Sequence, residues 1–199
     1  MPRTEETNQR IREEQRRKIL IAATKVFAHK GLAATKMADI AAEAGISYGL
    51  LYHYFTNKEV IFKAAIERAT NSGFRVLVER IQHLPLPPWE RIYQLTTIIL
   101  DGILREPEGY LLSQQVITSE AVPQEVRELA IRRSHQGIEE FQKLIIEGQA
   151  AGQVVEGDPA ELSALYFSCI GGIAMSYIQF FFPRSTYPKV ESVLRLLRP

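Results

Sequence analysis

The stretch between Thr35 and Lys58 constrains the fold most, because it specifies two short helices joined by a tight turn. Thr35 is the predicted N-cap of the first helix, whose apolar residues recur at helical spacing: Met37, Ile40, Ala41 and Ala44. Gly45 then ends that helix, since glycine reaches the left-handed conformation without steric cost.

The second predicted helix has an unusual outer face. Ser47 is its predicted N-cap, and its inner side carries Leu51, Tyr54 and Phe55. On the outer side, small and aromatic residues replace the Lys, Glu and Gln of a solvated helix: Gly49, Tyr52 and His53. Gly49 costs about 1 kcal/mol relative to alanine, but it lets the backbone approach another surface closely. The pattern predicts a helix that lies in a DNA groove.

The residues from Ala44 to Glu59 match the pattern A-G-(V/I)-S-x-G-x-L-Y-x-(H/Y)-F-x-x-K-E at every fixed position. On this motif, the segment from about Arg17 to Ile66 closely resembles the N-terminal DNA-binding domain of TetR-family transcriptional regulators. The rest of the chain resembles that family only in length and helical layout. The resemblance implies a repressor that binds a double-stranded DNA operator as a homodimer and is released by a small-molecule effector.

The resemblance also implies which residues contact DNA. The variable positions of the recognition helix are expected to read base edges, through a thymine methyl group or a hydrogen bond to a purine: Tyr48, Leu50 and His53. The positions that match backbone contacts of the family are expected to bind phosphates: Thr35, Lys36, Ser47, Tyr52, Tyr54 and Lys58. Gly49 completes the predicted interface, and Tyr54 is the least secure member because its helical position also faces the core. An alternative is that the base-reading residues merely fill the surface.

Composition and charge agree with this interpretation. The chain has 199 residues, of which 46% are hydrophobic and 24% charged, as in an ordinary soluble globular protein. Residues 1–60 carry ten Lys/Arg and seven Asp/Glu, a balance of +3, and residues 61–199 carry fourteen and sixteen, a balance of −2. The basic excess therefore lies with the helix-turn-helix. The N-terminal arginines can be a solvated extension or an arm that reaches the DNA, and both interpretations stay open.

Several classes of function are disfavoured by what the sequence lacks. Cys169 is the single cysteine and the four histidines are scattered, so no disulfide, metal site or cofactor is indicated. The sequence has no clustered catalytic set or phosphate loop, so we expect no enzymatic activity. No signal sequence is evident, and the apolar run from Tyr166 to Phe182 is interrupted by polar residues, so we expect a cytoplasmic protein without a membrane span.

The periodicity predicts an all-α fold, with a three-helix helix-turn-helix head and a C-terminal helical bundle that dimerises. Residues 1–60 are the predicted DNA-binding domain, and residues 61–199 are the predicted effector-binding and dimerisation domain. Outside the motif, helices are expected over 8–29, with Gly31 as the stop, and over 59–82, 88–105, 108–119, 123–151, 159–182 and 187–197. The proline-rich segment 84–90 separates two of them.

The penultimate predicted helix is apolar on almost every side, which indicates that a partner subunit covers it. The predicted dimer interface comprises Tyr166, Ile170, Ile173, Ala174, Tyr177, Ile178, Phe181, Val190, Leu194 and Leu197. A monomer with an internal core helix is the alternative. A two-fold dimer would read a palindrome whose half-sites lie about one DNA turn, ~34 Å, or a multiple of it, apart.

The effector is expected to be mainly hydrophobic, because the residues that could line a pocket are mostly apolar. They are Tyr93, Thr97, Leu100, Leu104, Leu111, Gln115, Ile138, Phe141, Tyr166 and Met175. The same apolar stripes are more typical of a packed core than of a pocket. Two further functions stay open at this stage, a DNA-binding protein with a structural or cell-cycle role and no effector, and a small-molecule carrier with a vestigial head.

Overall fold

A computed structural model describes residues 5–71, 74–118, 122–179 and 183–199. Ten α-helices and two 3₁₀ turns, Arg184–Thr186 and Arg195–Leu197, account for its secondary structure, and these ranges contain no strand. The helices are α1 Glu5–Ala34, α2 Met37–Glu43, α3 Tyr48–Tyr54, α4 Lys58–Asn71, α5 Phe74–Gln82, α6 Pro88–Arg105, α7 Pro107–Thr118, α8 Gln124–Ala150, α9 Pro159–Ile178 and α10 Val190–Leu194. The predicted all-α fold class is confirmed.

The helix boundaries near the motif follow from local backbone chemistry. Gly31 has φ 73° and interrupts α1 as predicted, and Gly45 has φ 63° in the turn between α2 and α3. Ser47 is the N-cap of α3, where its hydroxyl accepts from the Leu50 N–H at 3.2 Å. Asn57 likewise accepts from the Val60 N–H at the start of α4, at 2.9 Å.

Three predicted boundaries are wrong. The N-cap of α2 is Lys36 and not Thr35, because the Thr35 hydroxyl donates backwards to the Gly31 carbonyl at 2.6 Å. α1 begins at Glu5, before the predicted start at residue 8. The predicted last helix, 187–197, is only the short α10 followed by a 3₁₀ turn. The predicted continuity from 59 to 82 and the end of α9 beyond Gln179 involve positions 72–73 and 180–182, which lie outside the described residues.

The chain divides into two compact units, and neither is one continuous segment. The first unit comprises Met1–Thr70 and Leu111–Ala130, and the second comprises Asn71–Tyr110 and Ile131–Pro199. This division differs from the predicted boundary at residue 60, because most of α7 and the start of α8 pack with the N-terminal helices. The assignment of DNA binding and effector binding to the predicted domains stays a prediction.

Each unit has its own hydrophobic core. In the first, buried residues of α1 to α4 pack with Leu112, Val116, Val122 and Ala130. In the second, Phe141 of α8 stacks on Tyr166 of α9 with ring centroids 4.5 Å apart, and the Tyr166 hydroxyl pairs with Thr96 of α6 at 2.9 Å. Burial raises the pKa of Tyr166 because the phenolate would lose its hydration there.

Candidate nucleic-acid interface

The helix-turn-helix is held by the core of the first unit. Ile40 of α2 and Leu51 of α3 are fully buried, and Phe27 of α1 meets Phe62 of α4 edge to face with ring centroids 4.9 Å apart. Two surface ion pairs join α1 to α2, Lys25 with Glu43 at 3.5 Å and Lys30 with Asp39 at 3.0 Å. The position of α3 is therefore fixed mainly by packing, since exposed ion pairs contribute little.

Asp39 stabilises the start of α2. Its carboxylate accepts from the backbone N–H of Lys36 at 2.9 Å, and this hydrogen bond, with a further one from Lys30, holds its pKa below the ordinary value. A carboxylate in the first turn also suits the positive end of the helix dipole. The loop that precedes α2 is thereby ordered and presents the Lys36 side chain to solvent.

The outer face of α3 has a midline and two flanks. At 100° per residue, Leu51 points to the core while Gly49 and His53 lie on the opposite midline. Tyr48 and Tyr52 lie on one flank, and Leu50 lies on the other. All five outer residues are exposed, with Tyr48 at 52% and Leu50 at 38% of their full accessibility. The face predicted to read DNA is therefore open to solvent.

Tyr48 and Tyr52 form a hydrogen-bonded pair. Their hydroxyl oxygens are 3.2 Å apart, and their rings meet edge to face with centroids 4.9 Å apart. This hydrogen bond raises the pKa of Tyr52, and the neighbouring phenol and partial desolvation act in the same direction. The two side chains thus restrict each other's orientation on the helix surface.

Gly49 is a glycine for which the first unit shows no steric requirement. A Cβ atom built on it meets no other atom within 4 Å, and its backbone is helical rather than left-handed. Alanine would be accommodated there and would favour the helix by up to about 1 kcal/mol. The contacts within the first unit therefore do not require glycine at this position.

Two predicted DNA contacts, Thr35 and Tyr54, differ in burial from the exposed residues of α3. The Thr35 side chain is only 1% exposed and its hydroxyl is already used, so it cannot reach a phosphate. Tyr54 is half-buried and packs against the core of the first unit, as its position on the helix indicated. We therefore remove Thr35 from the interface, while the contact of Tyr54 stays a prediction.

Lys58 has a structural contact that the motif did not reveal. Its ammonium donates to three backbone carbonyls, those of Leu32 at 2.9 Å, Ala33 at 3.0 Å and Thr35 at 3.0 Å. An ammonium group has three protons, so these bonds use its full donor capacity. Lys58 joins the start of α4 to the chain between α1 and α2, and the prediction of a phosphate contact is not supported.

The predicted phosphate contacts that remain exposed are Lys36 and Ser47, besides Tyr52. Among the N-terminal arginines, Arg16 lies over the Phe55 ring with its guanidinium carbon 5.2 Å from the centroid. This cation–π contact places Arg16 beside the end of α3. Both interpretations of the other N-terminal arginines stay open.

The ten residues predicted for an effector pocket divide between the two compact units. Leu111 and Gln115 belong to the first unit, where the Gln115 amide donates to the Ala28 carbonyl at 2.7 Å. In the second unit, Leu100, Phe141 and Tyr166 are buried core residues. The other five lie at its periphery: Tyr93, Thr97, Ile138 and Met175 are half-buried, and Leu104 is exposed. Tyr93 donates to Glu191 at 2.7 Å, and Thr97 donates to the Tyr93 carbonyl at 2.9 Å.

The predicted dimer residues also separate into two groups. Five of them are buried in the core of the second unit, so the structure does not support their predicted contact with a partner: Tyr166, Ile170, Ala174, Leu194 and Leu197. Ile173, Tyr177, Ile178 and Val190 are half-buried and stay candidates, while Phe181 lies outside the described residues.

The exposed side of α9 was not identified from the sequence. Leu165 is 51% exposed, and the small residues Ser168, Gly172 and Ser176 follow it at helical spacing. A groove of about 530 Å³ continues along this side. Its lining contains none of the predicted pocket residues and comprises Ser168, Cys169, Gly172, Ile173, Ser176, Tyr177, Pro183, Thr186, Tyr187 and Pro188. The three-to-four-residue spacing of small residues was the signal that could have revealed this face.

α9 is also the one described helix that is long and apolar enough to cross a membrane by length and composition. The core helices of soluble proteins pass the same criterion, so this is weak evidence of a membrane span. Within the four described ranges, no group of three or more His, Cys, Asp or Glu residues is arranged to hold a metal ion.

A family model described as bacterial regulatory proteins of the tetR family matches residues 19–65. The match begins in α1, contains all of α2 and α3, and ends in α4. It therefore covers the whole helix-turn-helix and the outer face of α3.

Similar proteins are named as regulators of transcription. The HTH-type transcriptional repressor DhaR of Mycobacterium sp. (strain GP1) is 24% identical over 139 residues, which are 70% of this chain and 69% of that protein. The HTH-type transcriptional activator FasR of Mycolicibacterium smegmatis is 39% identical over 108 residues, which cover 53% of this chain and 48% of the other. A crystal structure of AibR with isovaleryl coenzyme A and operator DNA is similar in fold, with 20% identity, a TM-score of 0.64 and coverage of 91% and 94% of the two chains.

Proposed function

Because this chain belongs to the TetR family of bacterial transcriptional regulators, we propose that it represses transcription by binding a palindromic DNA operator as a homodimer. It is a DNA-binding regulator and not an enzyme. The observation that carries the proposal is the outer face of α3, where an open glycine lies between exposed aromatic and apolar side chains. A surface of this kind suits the major groove, where the backbone must come close and the side chains meet base edges.

Lys36, Ser47 and Tyr52 surround this face, and we assign them contacts with the DNA backbone. A lysine and hydroxyl groups are common donors to phosphate oxygens, and such contacts fix the register of the protein on the duplex. Tyr48, Gly49, Leu50 and His53 are then left to meet the bases. The protein acts in the cytoplasm, where its DNA is.

The homodimer would form through the exposed side of α9. Leu165 supplies an apolar contact, and Ser168, Gly172 and Ser176 would let a second helix approach closely. Residues of the partner would then cover the groove along α9 and remove its apolar lining from water.

Sedimentation of the purified chain tests this dimer. The wild type is expected to sediment as a dimer and Leu165→Asp as a monomer, because the charge would be buried against the partner. Ile98→Asp is the matched control, since Ile98 is an exposed apolar residue of α6, at 46%. A wild-type monomer at micromolar concentration, or a dimer in Leu165→Asp, would contradict this interface.

The effector would bind in the second unit and weaken DNA binding. We propose a mainly hydrophobic effector, because the core of that unit consists of aliphatic residues and the Phe141–Tyr166 stack. A coupling free energy of about 1 to 3 kcal/mol would weaken operator binding roughly 5- to 150-fold.

Selection of genomic DNA fragments by the purified chain tests the proposed function directly. We expect a shared palindrome near a small set of promoters, and loss of that preference in Tyr48→Ala. Enrichment of many dispersed sites without a nearby promoter would favour the effector-independent structural or cell-cycle role. Absence of any enriched sequence would refute DNA regulation and favour the carrier.

A further inference from the structure

α3 lacks every side chain that makes two parallel hydrogen bonds to a base. Its sequence Y-G-L-L-Y-H-Y contains no Arg, Lys, Asn or Gln. Arg and Lys are the usual readers of guanine, and Asn and Gln are the usual readers of adenine. If this helix reads a sequence, it must do so mainly by apolar contact and by single hydrogen bonds from phenol or imidazole groups.

Leu50 is the apolar group available for this purpose. It is 38% exposed, whereas its neighbour Leu51 is fully buried and already fills the core position of α3. The exposed leucine lies in the first turn of the helix, and the N-terminal residues of a recognition helix are the ones that contact base edges.

The geometry of the face keeps Leu50 apart from the hydrogen-bonded Tyr48–Tyr52 pair. Tyr48 and Tyr52 are joined by their hydroxyl groups on the opposite flank, and Gly49 lies between the flanks without a side chain. A base edge that approaches the glycine would therefore meet an isobutyl group on one side and phenols on the other.

The only apolar group on the floor of the major groove is the C5-methyl group of thymine. From this we propose that Leu50 recognises the methyl group of a thymine in each half-site of the operator. The proposal rests on the proposed function and specifies the base at one position of the DNA. Removing a methyl group from such a contact costs ~0.8 kcal/mol, which is about fourfold in affinity for one half-site and about 16-fold for both.

The test replaces thymine with deoxyuridine, which differs only by the missing methyl group. A duplex is first selected from random sequences with the full chain, and each symmetry-related pair of thymines in it is then replaced in turn. One pair is expected to lower wild-type affinity about 16-fold. In Leu50→Ala the same replacement is expected to change affinity by less than about twofold, because the methyl group has lost its partner.

Leu104→Ala is the matched control. Leu104 is also 38% exposed but lies in α6, so this variant should keep the full sensitivity to the missing methyl group. A selected sequence that tolerates deoxyuridine at every position, or a sensitivity that persists in Leu50→Ala, would overturn the role of Leu50 and leave the proposed function intact. Failure to select any sequence would overturn both.

Discussion

Replacement of Gly49 by alanine should make the protein more stable and a poorer DNA binder at the same time. A Cβ atom at this position meets nothing within 4 Å, so the substitution introduces no clash within the protein. Glycine in a helix is less favourable than alanine by about 1 kcal/mol, and the first turn recovers part of this, so we expect a gain of roughly 0.5 to 1 kcal/mol.

The loss of affinity follows from packing at the DNA surface. An added methyl group in a close-packed contact typically costs about 1 to 3 kcal/mol, which corresponds to roughly 5- to 150-fold weaker binding. The assays are urea denaturation followed by circular dichroism and titration of a fluorescent operator duplex at fixed salt.

Gly102→Ala is the control for Gly49→Ala. Gly102 is also a helical glycine with open space where a Cβ atom would lie, but it belongs to α6 in the second unit. It should show the gain in stability without a change in affinity. Unchanged affinity in Gly49→Ala would refute the argument that this glycine exists for a close approach to DNA.

Three further substitutions concern the same surface. Lys58→Met should lower the free energy of unfolding by about 1 to 3 kcal/mol, because three carbonyl groups lose a charged donor, while the salt dependence of DNA binding stays unchanged. Lys36→Met should do the reverse, with unchanged stability and a salt slope reduced by about one, and identical salt slopes in the two variants would contradict this division. In Tyr48→Phe the pKa of Tyr52 should fall towards its ordinary value, because the hydrogen bond that raises it is lost. Ultraviolet titration against the wild type measures this shift, and an unchanged pKa would mean that the hydroxyl pair does not persist in solution.

The sequence predicted the helix-turn-helix accurately because its signals are local. Gly45, Ser47 and Asn57 act through their own backbone or through residues three positions away, so their roles follow from neighbouring residues alone. The outer face of α3 was also predictable, since helical periodicity separates Leu51 from Gly49 and His53.

The errors arose where partners are distant in the chain. Lys58 bonds to carbonyl groups 23 to 26 positions away, and Gln115 bonds to a carbonyl 87 positions away, which no local pattern reveals. The motif indicated that Lys58 is a phosphate ligand. In the folded protein its ammonium group instead donates to backbone carbonyl groups. In α9, apolar composition could not separate residues buried within the unit from those on its exposed side.

The first compact unit has a practical consequence for anyone who would exchange DNA specificities between such proteins. Leu112, Val116, Val122 and Ala130 belong to the same core as the helix-turn-helix, although they follow it by some fifty residues or more. A chimera in which the exchanged segment ends at residue 60 or 70 would lose the matching side chains of this core and would expose apolar surface to water. The folded unit that contains the helix-turn-helix is therefore built from two separate segments of the chain. A chimera should take both segments from one parent protein.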